Sequence, residues 1–449
     1  MRYQRIGTIH RMLVIAGAVV MAAPLRAQSS AADDGARPVS LREAVDLAQR
    51  NSPAIVSAKG LERVAGGARR SALAAYAPTL NLTASSGRQQ GSQYFQGALV
   101  PLTGNPWSYT NGISTNFELF DGGRRLSELN RVKATVSVAD QSLVQARFDA
   151  ALQVKQQYYA ALAARESEAA ARAQLDQAQQ QLKASSARVA AGVATKSDSL
   201  RSAIQVGNAQ LAVLTSQNDL RVANAALTRI VGSNTTITAS PSDTTDMAAA
   251  LPDETELTKL AGDGPAIRLA DANFGAARAT KRSQRSQYLP SLTMSYNYSY
   301  NQSSKAFSGG NLLLVGGNEP NRQQLNFNFA YPLFNGFVRE QQTLLLDVAL
   351  ANADAQLRDT RLAARANLTS LLRLVQNAQA RIQVQVASIA AAEEDLRVQQ
   401  QRYALGASTL LDLLTSQTQL NVARQALIQA RFDGRVARAQ LSSLIGREL

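Results

Sequence analysis

The sequence predicts a mainly α-helical protein, built as a duplicated half, whose strands form a transmembrane β-barrel continued by a long helical tube. Three observations predict it. Two stretches of about 68 residues each, 124–191 and 337–405, contain neither Gly nor Pro. Each is preceded by segments in which apolar and polar residues alternate with a period of two. The same order of elements occurs twice along the chain.

The duplication is legible residue by residue. FELFDGGRR (117–125) and YPLFNGFVR (331–339) align at an offset of 214, pairing Phe120 with Phe334, Asp121 with Asn335 and Gly122 with Gly336. The same offset pairs Arg188 with Arg402, Gly192 with Gly406, Asp198 with Asp412 and Gly232 with Gly446. Upstream the offset is 212, matching Pro53-Ala-Ile to Pro265-Ala-Ile and Pro78-Thr-Leu to Pro290-Ser-Leu. The chain divides into a leader (1–27), a first repeat (28–232), a polar linker (233–254) and a second repeat (255–449). Two copies of about 190 residues each, offset by 212 to 214, are a duplicated structural half and not a short-repeat solenoid.

The leader carries Arg2, Arg5 and Arg11 before the apolar run 12–23 and a small-residue exit near Ala27. Charge, apolar length and exit site are those of a secretory signal peptide. The run is shorter than the about 20 residues a spanning helix needs. The only His, His10, lies in the leader, and the chain has no Cys. The exported protein is expected to have no thiol or imidazole chemistry, no disulfide, no thiolate metal site and no lipid anchor on a cysteine. The formal charge of +14 falls to about +10 without the four leader arginines. Lys and Arg are spread among Glu, Asp and Gln with no basic block, which reads as solvated helical surface and not as a nucleic-acid footprint.

Each repeat opens with a helical stretch (about 40–75 and 254–286) ended by a Pro, at Pro78 and Pro290. Alternating segments follow, hairpins over about 78–120 and 290–334. In SLTMSYNYSY (291–300), Leu292, Met294, Tyr296, Tyr298 and Tyr300 share one face, with Ser, Thr and Asn on the other. In LNFNFAY (325–331), Leu325, Phe327, Phe329 and Tyr331 alternate with Asn326, Asn328 and Ala330. A period of two means strands. An apolar face opposite a Ser/Asn/Thr face suits lipid outside and water inside. Long Gly-containing loops are expected at about 87–108 and 303–322.

Two hairpins make four strands per chain. Four strands cannot enclose a lumen, and an open sheet edge cannot sit in lipid. Several chains must therefore share one barrel; two copies give eight strands and three give twelve. The Gly-free and Pro-free stretches then reach on the order of 100 Å at about 1.5 Å per residue. Gly192 and Gly406 end them as helix C-caps do, and return helices run on to Gly232 and Gly446. Phe120, Gly122, Phe334 and Gly336 mark the strand–helix junctions, where Gly permits the bend.

The order of SLREAVDLAQRNSPAI (40–55), RRSALAAYAPTL (69–80), FELFDGGRR, RVAAGVATKSDSL (188–200), YLPSL (288–292), YPLFNGFVRE and RYALGASTLLDLLTSQTQL (402–420) resembles that of the TolC-like outer-membrane efflux proteins. The resemblance covers nearly the whole mature chain. It implies a homotrimer with a twelve-stranded barrel in outer-membrane lipid, a periplasmic helical tunnel and a mixed equatorial belt that includes the linker. It implies a periplasmic adaptor and an inner-membrane pump as partners, with no cofactor. It places Asp412 at the periplasmic aperture and Asp198 and Tyr403 as a gate tether, a phenol donating to a carboxylate. Gly192 and Gly406 fall at the adaptor-docking tips. Where some relatives have a second acidic residue and a basic lock residue, this chain has Thr415 and Ser408.

The expected function is an exit duct for drugs or other small molecules. A duct for type I protein secretion is the alternative within the channel class, and an exported coiled-coil scaffold without a pore the alternative outside it. An enzyme is disfavoured because the carboxylates are scattered along helices.

Overall fold

The computed structural model describes residues 36–88, 91–95, 97–101, 107–241, 252–303 and 321–449. The leader, 1–27, and most of the expected loop 303–322 lie outside the described residues.

The first helical stretch is two helices, α1 (Leu41–Asn51) and α2 (Pro53–Ala74). Ser40 caps α1 by accepting from Glu43 N at 3.2 Å. Pro53 separates the two helices and opens α2, where its missing N–H costs nothing. Strand β1 (Arg37–Val39) precedes them. Strands β2 (Thr79–Arg88), β3 (Ser92–Phe95), β4 (Ala98–Pro101) and β5 (Trp107–Phe120) follow. The β3–β4 hairpin corrects the expectation of a plain loop over 87–108; its turn uses Gly97 at φ +81°.

The Gly-free and Pro-free stretch is one helix, α3 (Arg124–Ala190), of 67 residues. Helix α4 (Lys196–Val231) returns over 36 residues. Strand β6 (Ile237–Ala239) then pairs in parallel with β1, so the polar linker is not wholly irregular. Buried Ile237 and Ala239 pin it. Tyr158 Oη donates to Val39 O at 3.0 Å and accepts from Ser240 N at 3.1 Å, tying both strands to the middle of α3.

The second repeat is α5 (Glu254–Ala261), α6 (Pro265–Gln284), a short 3-10 turn (Arg285–Tyr288), β7 (Ser291–Ser303), β8 (Asn321–Ala330), α7 (Val338–Ala404) and α8 (Leu410–Ile445). Helix α7 also has 67 residues and α8 has 36. At 1.5 Å per residue the long helices are about 100 Å and the return helices about 54 Å.

Buried positions along these helices recur at seven-residue spacing: Ala58, Ala65 and Ala72 on α2; Ala171, Ala178 and Ser185 on α3; Ser202, Ala209 and Ser216 on α4. A sustained seven-residue repeat winds helices into a left-handed supercoil, and small residues at the seam let them approach closely. Near the sheet the packed order is α2, α3, α6, α7; further away it is α4, α3, α8, α7. Helix α7 ends both rows, with α2 or α4 at the opposite end.

Strands β2, β5, β7 and β8 form one antiparallel sheet in that order. Its register sorts the side chains. Leu82, Ile113 and Tyr298 stand in one cross-strand row; Phe117, Met294 and Phe327 stand in another, and Phe120, Leu292 and Phe329 in a third. The alternate rows are Asn81, Ser114, Asn297 and Gln324, then Thr79, Asn116, Ser295 and Asn326. One face is apolar and the other polar. A bulge between Glu118 and Phe120 absorbs one residue at the helix-proximal end of β5, a place where bulges bend a strand. Among the described residues, edges β2 and β8 are both unpaired.

Candidate functional site: helix tips, junctions and open edges

At the far ends of the long helices the chain reverses in two equivalent turns. Gly192 and Gly406 adopt φ of +74° and +75°, and a Cβ at either would meet nothing within 4 Å. The left-handed backbone alone demands glycine there. Val193 N donates to Arg188 O at 3.0 Å, and Ala407 N to Arg402 O at 2.8 Å, closing each helix end.

Each return helix starts with a capping box. Asp198 Oδ2 accepts from Thr195 N at 3.0 Å and Thr195 Oγ1 at 2.8 Å. Asp412 Oδ2 accepts from Thr409 N at 2.9 Å and Thr409 Oγ1 at 2.7 Å. In return, each Thr hydroxyl accepts from the Asp backbone N–H, so the pair satisfies helix-end donors reciprocally. The Thr409 hydroxyl, then its N–H, hold the Asp412 carboxyl below the usual carboxylate range against the opposing effect of burial, with a lesser contribution from the charge of Arg402. Asp412 is exposed and ionised at neutral pH.

The expected hydrogen bond from Tyr403 to Asp198 is not formed in this structure. Asp198 is occupied by Thr195, and Tyr403 Oη is buried without a partner among the described residues. Burial pushes the phenol pKa up; Arg188 opposes that and Asp198 adds to it. The tie between the two tips comes from Arg188 instead. Its Nη1 donates to Tyr403 O at 2.7 Å and to Ala404 O at 3.2 Å. Its Cζ lies 4.7 Å from the Tyr403 ring centroid, a cation–π contact. Arg402, its repeat counterpart, donates within its own turn, to Ala407 O at 3.4 Å. Ser408 Oγ is buried with no partner and supplies no charge. Sequence reasoning paired Arg188 with Arg402 but gave neither a role; a cation beside Tyr403 across the repeat was the available signal.

The strand–helix junctions differ between repeats. In the first, Asp121 Oδ1 accepts from Gly123 N at 3.0 Å, and Oδ2 from Arg125 N and Nε at 2.9 Å each. Burial raises the Asp121 pKa, but the hydrogen bonds and charge of Arg125 outweigh it and hold it low. Arg125 also lies over Tyr76, at 5.2 Å. In the second, Asn335 stands where Asp121 does, and Arg339 lies over Tyr288 at 4.8 Å while donating to Pro332 O at 3.0 Å. Gly122 (φ +63°) is boxed in: a Cβ would sit 2.6 Å from Leu289 Cβ. Gly336 (φ +69°) has open space. The next positions are Gly123 and Phe337, and Phe337 holds φ +64° despite its side chain. Phe334 packs edge-on against Phe337 with centroids 5.5 Å apart. Phe120 and Phe334 are exposed on the sheet side of these bends.

The open edges carry exposed apolar side chains. On α2 they are Val56, Leu61 and Val64; on α4, Ile204, Leu211 and Leu214; on α7, Leu344, Leu345 and Val348. Among the described residues no three His, Cys, Asp or Glu gather as a metal site. No described helix is long and apolar enough to cross a membrane.

Comparison with known proteins gives a consistent result. The profile described as outer membrane efflux protein matches residues 44–233 and 258–447. The chain is 27% identical over 186 residues to the cobalt-zinc-cadmium resistance protein CzcC of Cupriavidus metallidurans, covering 41% of this chain and 44% of that protein. This match thus spans less than half of CzcC. It is 27% identical over 339 residues to the pyoverdine export outer membrane protein OpmQ of Pseudomonas aeruginosa, covering 72% of this chain and 67% of that one. The outer membrane protein VceC of Vibrio cholerae superposes with a TM-score of 0.72 at 21% identity, covering 91% of this chain and 96% of VceC. Long paired helices, an amphipathic four-stranded sheet and a profile matched once in each half lead to one conclusion: the chain belongs to the outer membrane efflux protein family.

Proposed function

We propose that three copies of this chain close into an exit duct across the periplasm and outer membrane, serving an inner-membrane pump through a periplasmic adaptor. The observation that carries it is the four-stranded sheet, apolar on one face and polar on the other, with two unpaired edges and 100 Å helices (about 67 residues at 1.5 Å each) below it. Pairing β8 of one copy with β2 of the next is a head-to-tail contact that closes with rotational symmetry. Three copies give twelve strands, within the range of outer-membrane barrels. The same contact brings the apolar residues of α7 onto those of α2 and α4 in the neighbour. Asn81, Asn297, Asn326 and their row-mates then face water, and the aromatic rows face lipid.

The cargo is small molecules. CzcC and OpmQ are named for resistance to metal ions and for export of pyoverdine, which favours small solutes over secreted proteins. Conduction, not catalysis, is the activity: the tip and junction carboxylates are engaged in capping boxes and ion pairs. Asp412 forms the aperture ring, Gly192 and Gly406 shape the tips that meet the adaptor, and Arg188 holds the two tips of each copy together at rest. Asp198 and Tyr403 shape this closed tip through the cap and the ring under Arg188.

Because the chain has no Cys, engineered pairs test the ring directly. With Leu82→Cys on β2 and Gln323→Cys or Leu325→Cys on β8, oxidation in membranes is expected to give covalent dimers and trimers and nothing larger. Monomer alone, or a ladder beyond three, contradicts the ring.

A further inference from the structure

We infer that the protein has a binding pocket for a small amphipathic organic anion on its helical wall, separate from the duct. A cavity of about 320 Å³ lies between α1, α3 and the C-terminal end of α8. That is at the lower end of the range for small-molecule sites. Its floor is apolar, with Val45, Phe148 and Leu152, and its rim carries Arg147, Lys155 and Arg447.

The charges do not cancel inside the protein. Glu448 is the only carboxylate at the rim. Its Oε1 is 3.5 Å from Lys155 Nζ, and its side chain is 85% exposed, whereas that of Lys155 is 15% exposed. Arg147 and Arg447 form no ion pair among the described residues. The stem of Lys155 is buried, and its ammonium, with three donors, meets the solvated Glu448 carboxylate at 3.5 Å, so a bound anion can share it. Three cations over an apolar floor fit one carboxylate or phosphate head with a short hydrocarbon or aromatic body.

Placement keeps the pocket accessible in an assembly. Helices α3 and α8 lie inside the packed row, away from the open edges at α2, α4 and α7. The wall is one helix thick, and α1 is an added layer on it. An added layer leaves the lumen clear only on the outside, so the pocket faces the periplasm. The pocket lies within one copy of the chain, so binding itself does not depend on the ring; its outward, periplasmic placement rests on the proposed function.

The test uses the purified full-length protein in non-ionic detergent, titrated calorimetrically with octanoate, octanol and acetate. Octanoate is expected to bind saturably and at least about tenfold tighter than octanol, since a hydrogen-bonded charge contact is worth about 1.5–3 kcal/mol, and than acetate, which lacks the hydrocarbon body that the apolar floor buries. Arg147→Ala with Arg447→Ala is expected to weaken octanoate at least about tenfold by the same measure with an unchanged melting temperature, because neither side chain has an ionic partner to lose. Arg147→Lys keeps the charge and should retain binding. Octanol equal to octanoate, non-saturable uptake, or a double variant that binds as wild type overturns the site.

Discussion

Arg188 and Tyr403 belong to different helical hairpins, yet the guanidinium lies 4.7 Å from the phenol ring centroid while donating to the Tyr403 carbonyl at 2.7 Å. The contact joins the end of α3 to the end of α7. Charge-assisted hydrogen bonds to a helix's last carbonyls add to a cation–π contact and to the favourable placement of a cation at a helix C-terminus. Removing the side chain frees both tips at once. Arg188→Ala is expected to raise single-channel conductance and antibiotic leak, and Arg188→Lys to restore part of the closure. Wild-type conductance in the alanine variant rules out the lock.

Tyr403→Phe separates this lock from a phenol tether. The hydroxyl is buried and unpartnered, so its removal should leave conductance unchanged and thermal stability equal or slightly higher. The ring under Arg188 is retained. A leaky phenylalanine variant would show that the hydroxyl finds a partner in the assembly.

Asp412 is exposed and its carboxyl is held below the usual range, first by the Thr409 hydroxyl. In the proposed ring of three copies, three such charges would meet at one opening. Asp412→Asn is expected to lower the cation preference of the channel, measured as a reversal-potential shift in a salt gradient. In wild type the charge persists as pH falls below an ordinary aspartate pKa of about 3.9 and is lost only through the depressed folded value. A cation preference that titrates near pH 6, or that survives in the variant, contradicts the aperture assignment.

Asp121 gives a second pH-linked expectation, on stability. Its folded pKa is lowered, so its contribution is present above the unfolded carboxylate value, about 3.9, and is lost as pH falls through the folded value. Asp121→Asn should therefore melt lower than wild type at pH 7, with the gap closing as the medium becomes more acid than about pH 3.9. A gap that grows towards acid pH contradicts the linkage.

Gly122 and Gly336 are equivalent in sequence and share a positive φ, but their surroundings differ. Gly336→Ala meets only backbone strain, about 1–2 kcal/mol. Gly122→Ala adds a clash 2.6 Å from Leu289 Cβ. The first junction should fail to fold or assemble under a change that the second tolerates, read as the yield of detergent-stable oligomer.

Much of this was legible in the sequence because each signal had a physical period or a breaker. Absence of Gly and Pro gave the 67-residue helices almost to their ends, and alternation gave the four sheet strands and their faces. Strand β6 was missed because three residues, Ile237–Ala239, show no period, and it exists only because β1 pairs with it from 200 residues away. The seam at Ala171, Ala178 and Ser185 was hidden because Ala and Ser are common on every face of these helices. The T-x-x-D boxes at Thr195 and Thr409 were visible, but Asp198 and Asp412 were read for the gate before their local caps. Arg188 became informative only when the two tips were seen side by side. The Phe337 position, where the first repeat has Gly123, shows how far the halves have diverged at one bend.

The most direct measurement is conductance of the purified mature protein in planar bilayers, wild type beside Arg188→Ala and Asp412→Asn. Small, cation-preferring steps are expected in wild type, larger steps in Arg188→Ala and weaker selectivity in Asp412→Asn. A stable trimer that conducts in none of the three proteins would contradict a duct closed at its tips by Arg188.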